Sequence, residues 1–171
     1  LLPIFSLSSS LGTGSATPYY WAISKNKDIT FTPKIYTNEN ALFLNEYRQA
    51  FRNGFLTLDT SYHEGYKNTS SKKTTGSRNH IFANLDLNFS EEDTSNSSLN
   101  VKIQRTSNDT YFRIHDINTS LVNSENTTLE NEISYNYSKD DMYLDVKANA
   151  FEDLTVKNSS RYEFILPNIT Y

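Results

Sequence analysis

Residues 81–89 read IFANLDLNF, and residues 99–104 read LNVKIQ. In both stretches polar and apolar side chains alternate, with Phe82 on the polar side. Successive side chains of a β-strand point to opposite faces, so each stretch predicts a strand with one apolar and one polar face. The same alternation occurs in residues 29–35, with Pro33 on the apolar side, and in residues 142–151. Further strands are predicted at residues 42–51, 55–62, 129–137 and 162–171, and no helical period of comparable length competes with them. The predicted fold is all-β, with roughly ten antiparallel strands.

The predicted connections between strands fall into two size classes that alternate along the chain. Short turns are predicted at residues 24–28, 52–54, 90–93 and 138–141, longer polar connections at 63–79 and 106–128, and one of intermediate length at 152–161. This alternation places the long connections at one end of the sheet and the turns at the other, as in outer-membrane barrels. The predicted connections 11–15 and 38–40 are short, although they fall at the long-loop end.

Length, charge and cysteine content exclude several classes of protein. The chain has 171 residues, which fits one domain, and a net charge of -4 gives no cationic surface for binding nucleic acid. It contains no cysteine, which excludes disulfide frameworks, zinc ribbons and thiol nucleophiles. A mean hydropathy of -0.63 does not exclude a barrel, because a membrane-spanning strand is apolar only at every second residue.

No residue pattern points to catalysis. The sequence contains neither a nucleophile elbow nor a phosphate-binding glycine loop. The three histidines, His63, His80 and His115, show no metal-ligand spacing and are predicted to be surface or loop residues. The acidic runs at residues 91–93 and 140–141 fall in predicted turns, where solvated acids are common. We therefore predict no enzyme, no catalytic residue, no cofactor and no metal site.

Residues 18–33 read PYYWAISKNKDITFTP, a distinctive run. Together with LPIF at 2–5, NEYR at 45–48, SNDTYF at 107–112 and LPNI at 166–169, it resembles the LptD (OstA) family of outer-membrane lipopolysaccharide-assembly proteins. In that family a similar run lies near the start of the barrel. The resemblance is specific over residues 1–50 and looser but collinear to the end.

The resemblance implies an architecture and a function. Residues 1–171 would be the N-terminal portion of a large transmembrane β-barrel in the outer membrane of a Gram-negative bacterium, truncated at both ends and unable to close by itself. A periplasmic domain would precede it and further strands would follow. The implied function is translocation of lipopolysaccharide through a polar lumen and its insertion into the outer leaflet, with no bond made or broken. The implied partners are lipopolysaccharide, outer-membrane lipid, an LptE-like lipoprotein plug and a periplasmic LptA-like bridge.

Two prolines, Pro3 and Pro18, fall in successive predicted strands. A proline removes a hydrogen-bond donor from the strand ladder. From the residues alone, both prolines could simply mark strand starts. The resemblance instead implies that they weaken a lateral gate at the first strands.

Tyr19, Tyr20 and Trp21 precede a predicted turn that contains Lys25. Aromatic side chains beside a basic turn are typical of a membrane interface, so these three residues are a predicted interfacial anchor. Packing of Trp21 in a core is the alternative.

In a barrel, the apolar face of the strands would meet lipid and the polar face would meet the lumen. The lipid-facing residues would be Leu85, Leu87, Leu99, Val101, Leu144 and Val146. The lumen-facing residues would be Asn84, Asp86, Lys102, Asp145 and Lys147.

Two other protein classes share the strand pattern. A soluble, secreted β-sandwich that binds a glycan or a protein would bury the same apolar set in its core, and it predicts no asymmetry of loop size. A different outer-membrane porin or transporter has no reason to carry prolines in consecutive strands.

Overall fold

The computed structural model of the protein describes residues 2–65, 76–91, 95–157 and 159–170. Most of these residues lie in eleven strands: β1 (Ile4–Ser8), β2 (Gly12–Ala16), β3 (Tyr19–Ser24), β4 (Lys27–Tyr36), β5 (Leu42–Phe51), β6 (Gly54–His63), β7 (Arg78–Glu91), β8 (Ser95–Thr106), β9 (Thr128–Lys139), β10 (Met142–Asp153) and β11 (Tyr162–Thr170). A short helix, α1 (Tyr111–His115), and a single 3₁₀ turn, Ser159–Arg161, complete the regular structure. Within the described ranges, no helix is long and apolar enough to cross a membrane.

All eleven strands belong to one antiparallel sheet in which neighbours along the chain are neighbours in space. The one departure is that β2 and β3 lie end to end against the same partner, β4. In the described part of the chain β1 and β11 form the two edges and do not pair with each other. The predicted all-β antiparallel fold is confirmed, and the open sheet fits a fragment of a barrel.

The strand register confirms the two predicted faces. Leu85 lies opposite Val101 and Leu87 opposite Leu99, on what we call the apolar face. Asn84 lies opposite Lys102 on the other side, which we call the polar face. Because residues opposite each other in a ladder share a face, these two faces run on through the paired strands.

Burial on the two faces is the reverse of that in a water-soluble protein. Large apolar side chains are exposed, among them Trp21 at 67%, Ile35 at 60% and Ile133 at 53%. The polar face, in contrast, buries Asp59 and Ser61. A soluble sandwich would cover its apolar side with a second sheet, whereas the described strands form only one. This arrangement is that of a barrel wall whose apolar face meets lipid.

The two ends of the sheet differ as predicted. Residues 25–26, 52–53 and 140–141 form tight turns at one end, and residues 107–127 lie at the other, where β6 ends and β7 begins. The predicted turn at 90–93 lies partly outside the described residues, since Glu91 ends β7.

One prediction at the long-loop end is wrong. Residues 12–15 do not form a connection but belong to β2, and the turn occupies residues 9–11. A Cβ on Gly14 would come within 2.7 Å of Ser6 Oγ and 3.0 Å of the Tyr36 ring, so close packing explains this glycine and a turn does not.

The connection between β8 and β9, residues 107–127, folds back onto the polar face. Tyr111, Phe112, Ile117 and Val122 of this connection form one buried apolar cluster with residues of the sheet and its ends, namely Leu11, Tyr36, Leu42, Leu44, Phe82, Leu129 and Leu154. The sequence pattern had indicated only a long polar loop here. This apolar cluster explains why Phe82 lies on the polar face.

Candidate functional site

The strand ladder is weakened where β2 gives way to β3. Ala16 lies opposite Lys34 and Tyr19 opposite Phe31, so the register is the same on both sides of the break. Between them the Thr17 N–H donates to the Pro33 carbonyl at 3.2 Å. Pro33 has no N–H with which to complete that pair. The second strand of the sheet is therefore interrupted at Thr17–Pro18 without a shift of register.

The backbone pattern shows where the missing donors of Pro18 and Pro3 would point. Thr13 accepts from Thr37 and Thr17 donates to Pro33, so odd-numbered residues of β2 direct their backbone groups toward β4. Even-numbered positions, including Pro18, then face β1. Because Ile4 lies opposite Ala16, the preceding residue, Pro3, directs its donor position away from β2. The two prolines thus remove donors on the two sides of β1.

The first strand is also attached to the sheet by a short ladder. Its ladder with β2 runs over five residue pairs, from Ile4–Ala16 to Ser8–Gly12, whereas β5 and β6 pair over ten. Its side chains contribute little burial, since Phe5 is 77% exposed. Both Pro3 and Pro18 lie just beyond the end of this short ladder.

The structure divides the three predicted anchor residues between the two faces. Tyr19 lies opposite Phe31 and Trp21 opposite Ile29, which places both on the apolar face. Tyr20 lies opposite Thr30 on the polar face. Trp21 is exposed and packs in no core of the described chain.

A cavity of about 700 Å³ opens on the polar face beside Pro18. Its walls come from β1 to β6 and from residues 116, 118 and 119 of the β8–β9 connection. The Lys34 ammonium group ties the two walls together by donating to the backbone carbonyls of His115 and Asp116 at 3.3 and 3.0 Å. Arg48 Nε donates to Asp28 Oδ1 at 2.9 Å. The cavity therefore combines fixed polar groups with apolar walls beside the interrupted strand.

The prediction that the histidines lie at the surface is wrong. His63, His80 and His115 are at most 2% exposed, because the β8–β9 connection covers them. His80 bridges Asp59 Oδ1 at 3.0 Å and Ser61 Oγ at 2.5 Å, and Ser61 Oγ in turn meets the Tyr111 hydroxyl at 2.8 Å.

His115 lies on the connection itself. Its ring centroid is 4.5 Å from that of His63, and burial, with the nearby charges of His63 and Lys34, lowers its pKa to about 3. Histidine spacing could not reveal this cluster, since its members come from three separate segments. Among the described residues, no group of side chains is arranged to hold a metal ion.

The chain is similar to several LPS-assembly proteins LptD, among them those of three bacteria. It is 31% identical to that of Nitrosococcus oceani over 145 residues, which are 80% of this chain and 17% of that protein. For Histophilus somni the identity is 26% over 152 residues, 89% of this chain and 19% of the relative. For Pseudoalteromonas translucida it is 28% over 159 residues, 90% of this chain and 19% of the relative. No family model matches the chain.

The chain thus spans less than a fifth of the length of these curated relatives. The matched segment covers most of the open sheet, including its exposed apolar face. The chain is therefore related to the LptD family of LPS-assembly proteins, and its sheet is a segment of a β-barrel in the outer membrane of a Gram-negative bacterium.

Proposed function

We propose that residues 1–171 form the N-terminal portion of a barrel that inserts lipopolysaccharide into the outer leaflet through a lateral gate at β1 and β2. The names of the relatives, LPS-assembly proteins, supply the substrate class. The observation that carries the proposal is the loss of backbone donors at Pro3 and Pro18, one on each side of β1.

The gate follows from the cost of opening a ladder inside a membrane. A hydrogen bond contributes about 0.5 to 1.5 kcal/mol net in water, and an unmade one costs more where no water can replace it. A seam that already lacks donors has fewer bonds to break, so it opens more readily than the ten-residue ladder between β5 and β6. Pro3 and Pro18 place such a seam at the edge of the sheet.

The two faces of the sheet suit the two parts of the lipid. The sugars would pass along the polar face, and the acyl chains would leave through the seam into the membrane, so no covalent bond changes. Tyr19 and Trp21 would anchor β3 at the turn-end interface. An LptE-like plug inside the barrel and an LptA-like bridge to a preceding periplasmic domain would complete the route.

The proposal is tested by restoring the donors. In the full-length parent protein, Pro3→Ala and Pro18→Ala together should reduce the lipopolysaccharide that chemical labelling detects on intact cells. The barrel should still fold, which heat-modifiable migration in gels reports. Pro167→Ala, in β11 beside a register shift, is the matched control and should leave surface lipopolysaccharide unchanged. Normal surface lipopolysaccharide in the double variant would contradict the gate.

A further inference from the structure

An open groove crosses the apolar face of the sheet near the long-loop end. Its volume is about 440 Å³, and it extends from β8 across β9 and β10 to β11. Arg105 lies opposite Ile81, and Phe164 lies opposite Ala150, so both sides of the groove are on the apolar face. Its lining includes Ile103, Arg105, Asn131, Ala150, Tyr162 and Phe164.

The groove lies where β8 and β9 stop pairing through their backbones. Their ladder ends at the pair Lys102–Glu132. Above it the Gln104 N–H donates to Asn131 Oδ1 at 2.9 Å, and Gln104 Oε1 accepts from the Glu130 N–H at 2.8 Å. Because the Asn131 side chain reaches across to β8 in place of the ladder, it does not project from the sheet. The floor of the groove is therefore low at Asn131 and at its small partner Ala150.

Arg105 places a positive charge on the apolar side of this groove. Its side chain is exposed, and its guanidinium group forms no ion pair within residues 2–65, 76–91, 95–157 and 159–170. It precedes Thr106, the last residue of β8 at the long-loop end. Long connections of outer-membrane barrels are extracellular, so Arg105 lies at the level of the headgroups of the outer leaflet. An anion that pairs with it there would come from the membrane.

A carboxylate group, Glu152, lines the groove on the side away from Arg105. It accepts from Arg161 Nη2 at 2.6 Å and from the Tyr162 hydroxyl at 3.2 Å, and Arg161 also donates to Asp109 at 2.8 Å. Asp109, Glu152 and Arg161 together carry one net negative charge. Glu152 is two strands away from Arg105, a separation of about 10 Å. An anion would therefore bind beside Arg105, and an uncharged part of the same ligand would lie toward Tyr162.

The aromatic side of the groove suits an acyl chain. The rings of Tyr162 and Phe164 are stacked with centroids 6.4 Å apart, and Phe164 is 70% exposed. A concave surface with apolar and aromatic walls and one charged group fits an amphipathic ligand. An arginine binds phosphate through two parallel hydrogen bonds, so the charged part of that ligand is best supplied by a phosphate group.

We infer that this groove binds the lipid part of a lipopolysaccharide already resident in the outer leaflet, with a phosphate on Arg105 and an acyl chain against Phe164. The inference rests on the proposed function, which makes lipopolysaccharide the lipid delivered to this leaflet. The site lies on the outside of the sheet at β8 to β11, away from the seam at β1 and β2. It therefore holds a neighbouring lipid and not the molecule in transit.

Binding is measured by photo-crosslinking on the folded full-length protein in detergent micelles, with p-benzoylphenylalanine at position 164. The probes are lipid A with both phosphates, the same lipid A freed of phosphate, and phosphatidylglycerol. We expect phosphorylated lipid A to reach half-maximal crosslinking at a concentration at least fivefold lower than either other probe, because it alone combines two phosphates with several acyl chains. Equal concentrations for phosphorylated and phosphate-free lipid A would overturn the site. Equal concentrations for lipid A and phosphatidylglycerol, or no crosslinking, would overturn it as well.

Variants locate the binding. Arg105→Ala should raise the half-maximal concentration of phosphorylated lipid A at least fivefold, and Arg105→Gln carries the same test if the alanine variant fails to fold. Lys139→Ala is the matched control, because it removes a cation from the same face at the turn end, and it should leave crosslinking unchanged. The crosslinker at position 43, at the long-loop end of β5, should show no preference for phosphorylated lipid A. An unchanged concentration in the Arg105 variants, or the same preference at position 43, would overturn the assignment.

This result is separable from the gate, because crosslinking of added lipid to the purified protein requires no transport. If Pro3→Ala with Pro18→Ala lowers surface lipopolysaccharide while position 164 does not distinguish the lipid A probes, the lipid site is wrong and the gate stands. If crosslinking at position 164 depends on Arg105 while the proline variants deliver lipopolysaccharide normally, the gate is wrong and the lipid site stands.

Discussion

Gly54 shows how one residue can be fixed by the neighbouring strand. A Cβ at this position would lie 1.9 Å from the backbone oxygen of Asp86 in β7. Backbone in a paired strand cannot move aside as a flexible side chain can, so Gly54→Ala should cost about 1 to 3 kcal/mol or more.

The measurement is the fraction of the full-length protein that shows heat-modifiable migration. Gly76→Ala is the control, because among the described residues its Cβ would meet only the Arg78 guanidinium group at 4.0 Å. Equal folded fractions in the two variants would show that β6 and β7 tolerate a wider separation.

Tyr111 is the residue whose hydroxyl ties the β8–β9 connection to the sheet. Removing it in Tyr111→Phe leaves the Ser61 hydroxyl with His80 as its remaining partner, at a cost of about 1 to 3 kcal/mol for a buried group. We expect faster hydrogen exchange in residues 107–127 of the folded protein. Tyr62→Phe is the control, because Tyr62 follows Ser61 in β6 and its side chain lies on the opposite face of the sheet. Its hydrogen exchange should be unchanged, and equal exchange in both variants would contradict this role of Tyr111.

The β8–β9 connection should also respond to pH through His115. Lys34 and the rings of Tyr36, His63 and Tyr111 surround His115, and burial lowers its pKa from 6.5 to about 3. The folded state therefore binds the proton less well than the unfolded state. The stability contributed by the neutral ring is complete above pH 6.5 and is lost as the pH falls toward 3.

We predict that hydrogen-exchange protection of residues 111–117 is lower at pH 5 than at pH 7.5. In His115→Phe, which cannot take up a proton, the difference between the two pH values should shrink. A difference of the same size in this variant would assign the effect to another group.

The elements differ in how well their sequence predicted them. The strands β7 and β10 were predicted closely because each alternates polar and apolar residues over nine or more positions. The proline positions were also recognisable, since proline lacks a backbone donor in any environment. Helix α1 and the histidine cluster were missed, because they depend on a connection folding back onto distant strands, which no local period encodes.

For the whole molecule, the decisive property is that the apolar face of the sheet is exposed while the polar face is partly buried. Leu85 on the apolar face should not tolerate a charge, and Leu85→Lys should cost about 2 to 4 kcal/mol if it lies near the membrane midplane. Asn84→Lys, one residue away on the polar face, should be tolerated. The folded fraction of each variant in outer-membrane extracts checks this, and equal loss in both variants would contradict a lipid-facing apolar side.

The unchanged register across Thr17–Pro18 has a mechanical meaning. Ala16 and Tyr19 keep their partners in β4, so side chains continue to alternate through the break and Tyr19 stays outside. An inserted residue would have reversed every side chain beyond it. The sheet thus has few backbone hydrogen bonds at Thr17–Pro18, yet its apolar and polar faces continue through the break. A membrane protein can in this way contain a weak point in a strand ladder without changing which side chains meet lipid and which meet water.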